Sequence, residues 1–508
     1  MRASPRLADV ASVASVFSVA TALLLGGCTK PEPGEASRAY VPIELDAGSG
    51  PRFTAAGMVG PIKGDPVASA RILVEDVGKG DYAGALTILD AEARKELDAQ
   101  KLAAAWKANA ADGGVYVRID SAEVEPLGPG KSRVRVRALL EGGTLDAFVS
   151  FDEGKDEATG FVLTKSWTFT PGVDRYAIEE RAVTIGAGER ALPGTLTEPK
   201  GRILVSGKPQ LRPGILLVPG SGPHDRDESL PGGARPFRDL ALGLAAKGAI
   251  VVRFDKRTYA GHAAAVGLTD DNVTLESEYL EDVLAAAIAL RATDGVDPSR
   301  VLVLGHAEGG WLVPMFFAAD PQLTGGIVLG GYARSLEDTL VPRYEYLATL
   351  PGSKIDKAFL DDLKKRVERA RDKALSAKTP ASELPLGLGA AYWQGVRRYD
   401  AIAVAKRIRR PMLFLQASRD CRVTEKDDLA LWKDALGTRT DVKFIVYPAL
   451  NHAFFPGEGP ITPDEYETKL GHVDPKVVDD IATFAFAQPE TPVIAPSPAA
   501  SAPASAKP

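Results

Sequence analysis

Apolar residues recur along this chain in two regimes. From Pro66 to about Trp167 the spacing is first helical, through Ala70, Ile72, Leu73 and Val77, then Ala85, Leu86 and Leu89, then Leu102 and Trp106. After Gly113-Gly114 apolar residues alternate with polar ones in 115–119, 133–138 and 145–151, closing with 160–164. A period near 3.6 turns one helix face to a core, and a period of two does the same for a strand. Residues 65–170 are therefore predicted as an α+β unit with a curved antiparallel sheet. It holds no histidine and no clustered polar constellation, which assigns it a packing or spacing role.

Beyond residue 178 the pattern changes again. Near-continuous apolar runs at 214–219, 249–254, 300–305, 326–330, 411–416 and 442–447 alternate with helical stretches such as Phe237–Lys247 and Leu275–Ala292. Runs without alternation belong to strands buried on both faces, so βαβ crossovers and a mostly parallel sheet follow, an α/β fold with helices on both sides.

Within this pattern the strand ending at Leu304 runs into Gly305-His306-Ala307-Glu308-Gly309-Gly310 and then an apolar segment from Trp311. Strand, sharp turn and helix, with glycine where backbones come close, make the G-x-S-x-G frame of a nucleophile elbow, here with Ala307 at the serine position. Asp420 follows the run ending at Gln416, and His452 follows the run ending at Tyr447. The chain order, nucleophile position, acid, base, is the one an α/β-hydrolase triad requires. Upstream, Val218-Pro-Gly-Ser-Gly-Pro-His-Asp-Arg-Asp227 leaves a central strand in a glycine-rich turn. The backbone N–H groups of Ser221 there and of Glu308 after the elbow are the candidate oxyanion donors.

These features resemble bacterial esterase-like α/β hydrolases, related to dienelactone hydrolases and acyl-transferring peptidases. The resemblance covers residues 178–487 and rests on Leu192-Pro-Gly-Thr-Leu196, Gly220-Ser-Gly-Pro-His-Asp-Arg-Asp227, Arg235-Pro-Phe-Arg-Asp239, Asp255-Lys-Arg257, the elbow, and Val423-Thr-Glu-Lys-Asp427. It implies a serine nucleophile attacking an ester carbonyl, Asp420 and His452 as acid and base, and a helical cap at about 335–398. The first unit resembles the small cone-shaped domains of nuclear-transport-factor type.

Alanine has no atom that can form an acyl-enzyme, and loss of the serine from such a triad costs on the order of a millionfold in turnover. Stand-ins are weak. Cys421 adjoins the acid and points away from the elbow, Ser221 belongs to the oxyanion loop, and His306 flanks the elbow as a packing or lining residue. Two readings stay open. One is an impaired relative that binds a small ester or acyl ligand; the other is an active ester hydrolase using another nucleophile or water activated by His452. His224 and His262 lie in loops near the cleft with no third ligand at recognisable spacing, so neither a metal nor a cofactor is assigned. His472 reads as a surface residue, and Tyr392 and Trp393 as cap packing.

The remaining composition narrows the setting. With 508 residues, 45% apolar and 25% charged, the chain has room for two units, and its net charge of −6 gives no basic face for nucleic acid. Arg2 and Arg6 precede a short apolar stretch from Val10 to Leu25, and Leu25-Gly-Gly-Cys28 resembles a bacterial lipobox. This implies an exported protein, residues 1–28 being a signal removed before Cys28, whose lipidation tethers the chain to a membrane. Residues 29–64 read as a tether and 488–508 as a Pro/Ala/Ser-rich tail. Cys421 is the other of two cysteines, so no internal disulfide is expected.

Overall fold

The computed structural model describes residues 65–488, apart from 129, 202–203 and 206–207. The expected signal, Cys28, tether and tail lie outside the described residues, save Gln488. No helix among the described residues is long and apolar enough to cross a membrane.

The first unit opens with α1 (Pro66–Lys79). Asp65 caps it by accepting from the N–H groups of Val67 and Ala68, Pro66 sits where its missing N–H costs nothing, and Gly80 ends it at φ +83°. Two further helices, α2 (Tyr82–Ile88) and α3 (Ala99–Ala110), complete the helical layer. The strands β1 (Tyr116–Gly128), β2 (Lys131–Leu140), β3 (Gly143–Asp152) and β4 (Ala158–Leu163) pair antiparallel in that order, with the short β5 (Trp167–Thr168) on β3. Leu73, Val74 and Val77 of α1 bury against Val134, Val136 and Ala138 of β2.

Because strand side chains alternate, this arrangement turns Arg133, Arg135 and Arg137 to the opposite face. The sequence reading found no polar constellation in this unit. The structure corrects it, because that face carries an ion network joined to the second unit. Arg137 donates to Asp146 at 2.8 and 3.0 Å and to Asp227 at 3.2 Å. Arg135 and Arg226 both donate to Glu123, at 2.9 and 3.0 Å. Arg235 donates to Thr144 at 2.7 Å and pairs with Asp146 at 3.1 Å.

The second unit is built on an eight-stranded sheet. Its strands are β6 (Ile178–Ile185), β7 (Leu192–Pro199), β8 (Arg212–Val218), β9 (Ile250–Phe254), β10 (Val296–His306), β11 (Gly325–Leu329), β12 (Met412–Arg419) and β13 (Val442–Asn451). They lie in the order β13-β12-β11-β10-β8-β9-β7-β6, parallel from β13 to β9 and antiparallel at β7 and β6. On one face α4 (Pro236–Ala246) and a C-terminal helix (Pro475–Phe486) cover Ile215, Leu217, Leu302 and Leu304. On the other, α5 (Glu281–Arg291) covers Leu216, Val218, Val301 and Val303. This two-sided burial is why the parallel strands read as unbroken apolar runs. The arrangement is the α/β-hydrolase fold.

Between β11 and β12 stand α6 (Leu336–Ala348), α7 (Lys357–Arg371) and α8 (Ala390–Arg398). Leu336, Leu340, Leu363, Val367 and the aromatic pair Tyr392 and Trp393 all bury into the same cluster as the sheet, so this segment is fused to the core.

His472 corrects a second expectation. It is half-buried where the two units meet, its Nε2 2.7 Å from the Thr168 hydroxyl and its Nδ1 3.0 Å from Asp239 in α4, with its ring edge-on to Trp167. A loop histidine with few apolar neighbours in sequence gives no sign of such a partner.

Removing one member of a buried ion cluster leaves the others uncompensated. Arg137→Ala is expected to lower unfolding free energy by about 3 kcal/mol, read by urea denaturation. A loss within experimental scatter would mean that solvent, not Arg137, balances Asp146 and Asp227.

Candidate active site

Ala307 occupies the tip of the turn between β10 and the helical turn Glu308–Trp311, at φ +48° and ψ −110°. An L-residue adopts this backbone only where its surroundings over-determine it, at a cost of about 1–3 kcal/mol. Here glycines provide the constraint. A Cβ on Gly305 would stand 2.1 Å from the Gly309 carbonyl oxygen, and one on Gly309 would stand 2.5 Å from that of Val218. The Ala307 N–H donates to the Leu329 carbonyl at 3.0 Å, tying the turn to β11. Ala307 is 4% exposed, so its methyl group is at the floor of the site.

His452 follows β13 and donates from Nδ1 to Asp420 at 2.7 Å. The other Asp420 oxygen accepts from the N–H groups of Arg422 and Val423, at 2.7 and 3.0 Å. Burial pushes the Asp420 carboxyl up, yet the His452 interaction and these two donors hold it below its ordinary value. Burial dominates for the imidazole and drives His452 down to about 4, against the pull of Asp420. At neutral pH, His452 is therefore a neutral imidazole with its proton on Nδ1 and its Nε2 lone pair free, the state required of a general base.

His306 plays a part the sequence does not reveal. Its Nδ1 lies 2.9 Å from both oxygens of Glu228, and its Nε2 lies 3.0 Å from the His452 carbonyl oxygen. Both ring nitrogens face acceptors, so both carry protons and the ring is an imidazolium. Burial opposes that charge, but Glu228 raises the His306 pKa; reciprocally, His306 outweighs the burial of Glu228 and holds its carboxyl at about 2. The two histidine rings lie 4.6 Å apart, and the His306 charge adds to the forces keeping His452 neutral.

Glu228 also accepts from the Gly220 N–H at 2.9 Å. On the far side of that residue, Lys256 Nζ donates to the Gly220 carbonyl at 3.1 Å and to the Tyr279 hydroxyl at 2.6 Å, and pairs with Glu278 at 2.9 Å. Both backbone polar groups of Gly220 are thus fixed by buried charges. A Cβ on Gly220 would stand 3.1 Å from the Ala307 methyl carbon, so this turn rests directly on the elbow. The Ser221 N–H has no partner among the described residues. Glu308 opens a helical turn, where the first N–H groups are spare. The Ser221 turn thus lies against Ala307, next to Glu308, and His452, paired with Asp420, is joined to the elbow through His306.

The Glu308 side chain faces away into a polar core, accepting from Tyr279 at 3.0 Å and Tyr392 at 2.5 Å. Tyr392, expected only to pack the cap, is thus a tie between cap and elbow. His224 donates from Nε2 to the Ser221 carbonyl at 2.8 Å. His262 lies 3.7 Å from Asp255, itself engaged by Arg226. No group of three or more possible metal ligands occurs among the described residues. Cys421 is buried, and burial followed by the Asp420 charge pushes its thiol up to about 11, a thiol rather than a thiolate at neutral pH. Glu228, Tyr279 and Glu278 were not singled out by sequence, and Lys256 entered only as part of the Asp255–Arg257 run, without a role. The one signal for Glu228 is its place directly after the Gly220–Asp227 run.

No protein-family profile matches the chain. Among characterised proteins, esterase EstD of Thermotoga maritima is 34% identical over 427 residues, spanning 82% of this chain and 94% of that one. Among solved structures, Est1E of Butyrivibrio proteoclasticus is 16% identical with a TM-score of 0.37, over 60% of this chain and 99% of that one. A puromycin-hydrolyzing peptidase of Mycobacterium tuberculosis is 15% identical with a TM-score of 0.42, over 73% and 47% of the two chains. The alignment with EstD is longer than the hydrolase unit alone and includes nearly all of that relative: this chain belongs to the esterase EstD family of α/β hydrolases.

Proposed function

We propose that this protein is a catalytically impaired member of that esterase family which retains the pocket to bind a small ester or acyl ligand. The observation that carries this reading is Ala307 in the strained elbow conformation, with the ring of the adjacent His306 4.6 Å from that of a neutral His452 held by Asp420. The base, the acid and the oxyanion turn are poised, and the atom they would activate is missing. Cys421 does not substitute for it, since its thiol is held protonated. We also propose that the chain is exported and tethered to a membrane through lipidated Cys28, on the strength of the apolar stretch ending in Leu-Gly-Gly-Cys.

The test is hydrolysis of short-chain p-nitrophenyl esters by the native chain and its variants. The native chain is expected to be inert. Ala307→Ser is expected to gain turnover on the order of a thousandfold or more above it, and adding His452→Ala is expected to abolish the gain. Hydrolysis by the native chain that depends on His452 would overturn the reading.

The pH profile of Ala307→Ser follows from the state of His452. Below about 4 the imidazole is protonated and cannot act as base; above about 4 it is neutral. The value of kcat/KM should therefore fall about tenfold per pH unit below that point and stay flat from there to neutrality. A midpoint near 6.5 would mean that the site is wetter than its packing indicates.

A further inference from the structure

Under α6, at the mouth of the loop that follows β12, lies a cleft of about 330 Å3. Three guanidinium groups line it: Arg334, Arg343 and Arg422. Two are already engaged. Arg334 donates to Asp428 at 3.1 and 2.8 Å, and Arg422 donates to the Tyr466 hydroxyl at 3.0 Å and to Glu467.

Arg343 differs. Among the described residues it forms no ion pair or hydrogen bond, and its Nε is buried without an acceptor. Its guanidinium makes only a distant contact with the Tyr344 ring, 5.6 Å from the centroid. A cation with a desolvated donor and no partner is costly unless something outside the chain supplies the acceptor. The carboxylates on the same wall do not supply it. Asp420 is taken up by His452 and two backbone N–H groups, and Asp427 accepts from Thr424 at 3.1 Å and lies 4.0 Å from Arg334.

The cleft adjoins the catalytic framework. Asp420 forms part of its wall while holding His452. Buried Tyr332 feels the charges of Arg343 and Arg422 and also those of Glu308 and Asp420. One unpaired guanidinium, a planar fork with parallel donors, matches one carboxylate in charge and shape.

We propose that the cleft receives a carboxylate carried by the ester or acyl ligand itself, with Arg343 as the ion-pairing residue. The favoured ligand class is therefore the half-ester of a dicarboxylic acid. This rests on the ester-ligand reading above and adds the charge of the ligand to it.

The experiment is calorimetric titration of the intact chain with monomethyl succinate and, separately, with the neutral dimethyl succinate. The monoester is expected to bind at least about tenfold more tightly, the usual worth of a charge-assisted pair. Arg343→Gln is expected to remove that preference and Arg343→Lys to retain part of it, with melting temperatures confirming that both variants fold. Equal affinity for the two esters, no binding of the monoester, or a preference that survives Arg343→Gln would each overturn the proposal. The readout is independent of turnover. An Arg343-dependent preference in a chain whose Ala307→Ser variant stays inert would sink the impaired-esterase reading and leave the carboxylate site standing. An Ala307→Ser variant that hydrolyses esters while the native chain binds both succinates alike would do the reverse.

Discussion

The Gly220 peptide is the fixed point on which the site is assembled. Its N–H is held by Glu228 and its carbonyl by Lys256, and both of these side chains are buried and charged. Buried charges persist only when each finds its counterpart, so each drags a further partner into place. Glu228 brings His306, whose second nitrogen holds the backbone of His452. Lys256 brings Tyr279 and Glu278, and Tyr279 brings Glu308 of the elbow helix. The Asp420–His452 pair and the Gly220–Ser221 turn come from strands far apart in sequence, yet both hang on one residue whose missing side chain lets it sit against Ala307.

The same logic gives the first unit a place in the architecture. The run that begins with Gly220 continues into Asp225, Arg226 and Asp227, and these face Arg135, Glu123 and Arg137 of the first sheet. Arg253 of β9 closes the circuit, donating to Asp227 at 2.8 Å and to Thr197 at 2.6 Å. The outer wall of the oxyanion turn is therefore made by another unit of the chain. A spacer would need apolar packing alone; this face instead carries arginines and a glutamate that pair with charged residues of the second unit.

Much of this was legible beforehand, and the reasons are physical. The parallel strands announce themselves because burial on both faces leaves no polar positions in runs such as Ile215–Val218 and Val301–Leu304. The elbow is visible because Gly305, Gly309 and Gly310 are demanded by backbone approaches that admit no Cβ. Asp420 and His452 could be located because each follows a strand end. What stayed hidden was pairing at a distance. Arg133, Arg135 and Arg137 look like the solvent face of any alternating strand, and Glu228 looks like a loop residue. Their partners lie up to about a hundred positions away, and no local pattern encodes them. His472 and Tyr392 escaped for the same reason: each makes its decisive hydrogen bond to an element that only folding brings near.

The strained turn at Ala307 is imposed from outside. Every constraint that forces the positive φ lies outside the residue itself, in the neighbouring glycines and in the hydrogen bond to Leu329. The shape of the turn thus depends on the residues around position 307 and not on the side chain that it carries. The geometry of the elbow is therefore a property of its surroundings, fixed by backbone approaches from β8 and β11.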